Sequence, residues 1–103
     1  MNAIKLKLPK AAIVRGVLVD TMDPAYLTQD ILEIELPGDV FIDVAWWPPK
    51  NPSGDFVVSI FKGEWENKLR PQYFTKDLGD LVEKIERFAD AYSGPALSHA
   101  DGR

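Results

Sequence analysis

Between residues 31 and 62 apolar and polar positions alternate with few breaks. ILEIEL (31–36) sets Leu32, Ile34 and Leu36 on one side and Glu33 and Glu35 on the other. VFIDVAWW (40–47) sets Val40, Ile42, Val44 and Trp46 against Phe41, Asp43, Ala45 and Trp47. DFVVSIFK (55–62) sets Phe56, Val58 and Ile60 on one face. Side chains that share a face at every second position have the period of a strand. The separators are turns: Pro37-Gly38-Asp39 leaves a three-residue loop, and Asn51-Pro52-Ser53-Gly54 suits a type I turn. The stretch therefore predicts a three-strand antiparallel meander over 31–36, 40–47 and 55–62.

Two shorter β patterns precede it. AIKLKL alternates Ile4, Leu6 and Leu8 with Lys5 and Lys7, which predicts a half-buried strand. AIVRGVLVD (12–20) predicts a second, with Gly16 marking a bulge. Asp23 before Pro24 predicts one capped helical turn. After the meander, GEWENKLRPQYF reads as a long connection, with Trp65, Tyr73 and Phe74 capping one end of the core, or Trp65 joining Trp47 in an aromatic recognition surface. The period then changes. Leu78, Leu81, Val82, Ile85, Phe88, Ala89 and Tyr92 recur mostly at spacings of three and four. This predicts an amphipathic helix over about 76–93, with Thr75 as its N-cap and Gly94-Pro95 as its stop. Asp80–Lys84 and Glu83–Arg87 are favourable i,i+4 pairs on its surface. The expected fold is α+β: an antiparallel sheet of about five strands with one C-terminal helix packed on one face. Residues 1–93 form the single domain, and 94–103 read as a flexible C-terminal tail.

Alternation separates the two adjacent tryptophans. Trp46 shares its face with Val40, Ile42 and Val44 and belongs under the helix, so Trp47 points the other way. A three-residue loop pairs Leu36 with Val40, Ile34 with Ile42 and Glu33 with Asp43; the next hairpin pairs Trp46 with Phe56 and Asp43 with Ser59. The second face then carries Ile31, Phe41, Ala45, Trp47, Val57 and Phe61 around Glu33, Glu35, Asp43 and Ser59. It is more apolar than a face that only meets water. Glu33, Glu35, Phe41, Asp43, Trp47 and Phe61 are the candidate binding residues.

Composition removes many chemistries. The 103 residues make one domain and contain no cysteine, which excludes disulfides, zinc–thiolate sites and thiol nucleophiles. His99 is the only histidine and falls in the tail, so a histidine-based triad or metal site has little support. There is no Walker A loop, no GxGxxG and no EF-hand spacing. No catalytic residue, cofactor or metal is expected. AAIVRGVLV is short and interrupted by Arg15, which does not make a secretory leader, and no run reaches the roughly 18 apolar residues of a membrane span. A cytoplasmic, bacterial-type protein with no membrane partner is the expectation.

The net charge is −4, unevenly spread. Residues 1–19 hold Lys5, Lys7, Lys10 and Arg15 and no acid, whereas 20–43 hold seven acids and no base. The simpler reading pairs Lys5 and Lys7 with Glu33 and Glu35 across neighbouring strands. The other is an acidic patch aimed at a basic protein partner. A helix over a sheet with exposed aromatics resembles RNA-binding sheets in outline, but acids surround these aromatics and no nucleic-acid partner is expected. Glu33 opposite Asp43 would share a proton, a metal or a cation. The expected function is a non-catalytic protein-interaction module, a homodimer through the face opposite the helix. One alternative is a small-ligand binder or enzyme with Glu33, Asp43 and Ser59 as a polar floor and Phe41, Trp47 and Phe61 as walls. The other is an acidic immunity or inhibitor-type protein for a basic partner.

Overall fold

The computed structural model describes residues 2–93; His99 and the tail expected at 94–103 lie outside the described residues. Five strands form one sheet in sequence order: β1 (Ile13–Gly16), β2 (Leu32–Leu36), β3 (Val40–Trp47), β4 (Asp55–Lys62) and β5 (Tyr73–Thr75). All neighbours are antiparallel. The helix α1 (Leu78–Tyr92) packs on one face. The fold is thus the α+β arrangement that the alternation and the final helical stripe predict. Among the described residues no helix is long and apolar enough to cross a membrane.

The meander register is the expected one. Leu36 lies opposite Val40, Ile34 opposite Ile42, Glu33 opposite Asp43, Asp43 opposite Ser59 and Trp46 opposite Phe56. A tight loop fixes it: Gly38 (φ 84°) and Asp39 (φ 67°) take the left-handed conformations that a three-residue connection needs. The face beneath α1 is the core. Ile34, Ile42, Val44, Val58 and Ile60 meet Leu81, Ile85, Phe88 and Ala89 there. At roughly 1.5–3 kcal/mol for each large apolar side chain fully buried, this face carries the stability of the domain. Trp46 is edge-on to Phe56 with ring centroids 4.8 Å apart, and its Nε1 donates to the Asn51 carbonyl at 2.7 Å. The same carbonyl accepts from Gly54 N and closes the turn, so the buried indole N–H has its partner.

Several expectations are corrected. Residues 4–8 form no strand: Ile4, Leu6 and Leu8 do pack on the core, but only an isolated bridge, Ala3 to Val19, joins this segment to the chain beside it. The strand expected over 12–20 is four residues long. The fifth strand lies instead in the 63–74 connection and its continuation, where Tyr73–Thr75 pairs with β4. Thr75 is not the helix cap. Asp77 is, accepting from Asp80 N at 3.1 Å, while Thr75 Oγ1 accepts from Asp77 N. Ile31 joins the core rather than the second face. The turn at Pro24–Tyr26 is capped by Asp23 as expected, and both i,i+4 pairs on α1 form at 2.9 Å.

Candidate functional site

The face opposite α1 consists of cross-strand rows. One row runs Arg15, Glu33, Asp43, Ser59; the next on one side runs Ile13, Glu35, Phe41, Phe61. On the other side, Ala45 pairs with Val57 and Val57 with Phe74. Trp47 ends β3 beyond them.

The acids of this face are not matched by the expected lysines. Lys5 and Lys7 are exposed, and Lys7 contributes its backbone N–H to Glu86. Arg15 on β1 takes their place: its Nη2 lies 2.7 Å from Glu35 and its Nη1 3.4 Å from Glu33. One guanidinium thus serves two carboxylates, and the next one along the row is left over. Asp43 has no ion pair or side-chain hydrogen bond among the described residues. Burial is the main cause that pushes its carboxyl up to about 6; Glu33 and Asp30 add repulsion, and Lys68 opposes them weakly.

Half of the face is covered by the chain itself. Phe41 stacks on Phe61 with centroids 5.2 Å apart, and Trp65 from the 63–72 loop meets Phe61 edge-on at 5.3 Å. Gln72 Nε2 donates to the buried Ser59 Oγ at 2.8 Å. The other half is open. A trough of about 420 Å³ lies there, with Asp43, Ala45, Val57 and Ser59 as its floor and Trp47, Trp65 and Phe74 as its walls. Trp47 is 56% exposed, Phe74 56% and Trp65 46%. A second, more polar recess of about 280 Å³ opens beside it between Arg15, Asp30, Glu33 and Asp43. Asp43 lines both.

Of the candidate residues, Asp43 and Trp47 therefore meet in the trough, and Glu33 and Asp43 meet in the recess. Glu35 is held by Arg15, and Phe61 is buried beneath Trp65. Phe74 and Gln72 were not singled out from the sequence as binding residues, whereas Trp65 was weighed there as a recognition surface with Trp47. Trp65 and Phe74 do not cap the core; only Tyr73 of that trio turns toward α1, where it meets Phe88. Recognising β5 would have found Phe74, since a strand that turns Tyr73 to the helix must turn Phe74 away. Among the described residues no three His, Cys, Asp or Glu side chains are grouped so as to hold a metal ion. No protein-family model, curated protein or solved structure matches the chain.

Proposed function

We propose that the chain is a non-catalytic protein-interaction module that works through the sheet face opposite α1, with a basic protein seated on that face. The observation that carries the reading is the group of three exposed rings, Trp47, Trp65 and Phe74, around the uncompensated carboxylate of Asp43. Exposed apolar residues scattered singly are ordinary, but a contiguous patch marks an interaction surface. Large aromatics give such surfaces their anchors. The sign of the partner follows from charge. Asp30, Glu33 and Asp43 surround the recess next to the trough, and Arg15, the one base there, is already engaged by Glu33 and Glu35. The absence of cysteine supports a cytoplasmic setting.

Self-association is the second reading. It is favoured by the edge of the same sheet, where Ile13, Val14 and the following Val17 are exposed and β1 pairs on one side only among the described strands. Light scattering on the wild type and Trp47→Asp, with an amide NMR titration against hexalysine, separates the two. A monomeric wild type whose face resonances shift with hexalysine, less so as salt rises, supports the basic partner. A dimer that Trp47→Asp dissociates makes a second copy the occupant of the face, and one that survives it places the second copy at the β1 edge. A monomer that ignores hexalysine removes the proposal.

A further inference from the structure

We infer that the aromatic trough is a receptor for one organic cation, the ammonium or guanidinium side chain of a basic partner, seated with its charge at Asp43 and its apolar stem among Trp47, Trp65 and Phe74. This rests on the docking reading above and specifies the group that the docked protein inserts.

Four observations lead to a cation. The trough floor carries a partly buried carboxylate with no partner of its own, because Arg15 is taken up by Glu33 and Glu35. Any neutral apolar ligand would bury that carboxylate further without compensating it, which is costly. An anion would meet Asp43 in the trough, with Glu33 and Asp30 adding repulsion from the adjoining recess. The walls are tryptophan and phenylalanine rings, whose faces attract cations. The molecule already uses one of them in this way: Lys68 Nζ sits 3.6 Å from the centroid of the Trp65 ring. Finally, Gln72 lines the trough, and while its Nε2 donates to Ser59 Oγ, its amide oxygen accepts no hydrogen bond among the described residues.

The charged groups that face Asp43 are Glu33 on β2, Asp30 ahead of it and Lys68 from the 63–72 loop, with Arg15 beyond Glu33. Burial, Glu33 and Asp30 push Asp43 up to about 6, and Lys68 counters them. A cation binds the ionised carboxylate, so affinity falls as pH drops through about 6.

The experiment is an NMR titration of the intact chain, following the Trp47 and Trp65 indole N–H signals, above and below pH 6. The probes are the Nα-acetyl amides of lysine and arginine, that of norleucine as an uncharged stem, choline, and hexalysine. The charged amino-acid probes are expected to bind about tenfold more tightly than the norleucine probe. Asp43→Asn should abolish that preference, and acid should weaken it. Equal binding of the norleucine probe, or a preference that survives Asp43→Asn, overturns the inference. Choline binding more tightly than the amino-acid probes makes a free amine the occupant and overturns the side-chain assignment. Hexalysine that shifts the face amides equally in wild type and Asp43→Asn overturns the inference while the docking reading stands. Hexalysine that shifts none removes both.

Discussion

Asp43 shows how one position can be placed correctly by alternation and still have its chemistry decided elsewhere. Its opposition to Glu33 and Ser59 follows from the parity of the two hairpins and the length of one loop. Its lack of a cation does not, because that depends on Arg15 lying opposite Glu33, and β1 is joined to β2 through fifteen residues of otherwise irregular chain that include a single 3-10 turn. Its carboxyl is raised to about 6 in the folded chain from an ordinary value near 3.8. The folded state therefore binds the proton more tightly than the unfolded state between those values. Stability from this group rises as pH falls through about 6 and is lowest when Asp43 is ionised. Asp43→Asn should then stabilise the domain above pH 6 by on the order of 1 kcal/mol, partial exposure having been allowed for, and by less near pH 4. Urea unfolding of the two proteins at both pH values measures this. Equal midpoints at high pH would mean that the carboxylate has a partner after all. The neighbouring tryptophans were easier to read. Two adjacent strand residues must face opposite ways, and Trp46 is buried while Trp47 is exposed.

The elements divide by how much of their definition is local. The meander was legible because 31–62 carries both alternation and turn chemistry, and α1 because its stripe of three and four spacings runs for fifteen residues. The N-terminal segment shows the limit of alternation. Ile4, Leu6 and Leu8 face the core and Lys5 and Lys7 face water, as a strand would place them, but the pattern reports which side is buried and not whether a ladder forms. The β5 strand was illegible for the opposite reason: three residues are too few for a period, and its pairing depends on the position of β4. Gly16, expected as a bulge, instead pairs one-to-one with Leu32 at the end of β1. Its φ is +91°, and a Cβ there would run into the Ile31 backbone carbonyl. Gly16→Ala should cost about 1–3 kcal/mol from the φ alone, and more if β1 shifts to relieve the collision. Denaturant midpoints give the loss. A wild-type midpoint would show that β1 has moved without cost, in which case the Arg15 contacts to Glu33 and Glu35 should vanish from the variant.

In the molecule as a whole one sheet has two faces with separate duties. Beneath α1 the central side chains, from Ile34 and Ile42 to Leu81 and Ile85, are enclosed; on the reverse, Trp47, Trp65 and Phe74 stay exposed around Asp43. That division is testable through additivity. Ile85 is fully buried against the sheet, so Ile85→Ala should leave a cavity and cost about 2–5 kcal/mol. Trp47 is 56% exposed, so Trp47→Ser should change stability by no more than about 0.5 kcal/mol. The two side chains lie on opposite faces with the backbone of β3 between them, so the double variant should show the sum of the single effects within about 0.5 kcal/mol. Binding should divide the other way: Trp47→Ser removes the hexalysine response, and Ile85→Ala keeps it as long as the protein is folded. A coupling well above that limit would mean that the core under α1 sets the geometry of the trough. Trp46 would then be the residue to examine, since it lies beside Trp47 in the strand and packs on Phe56 in the core.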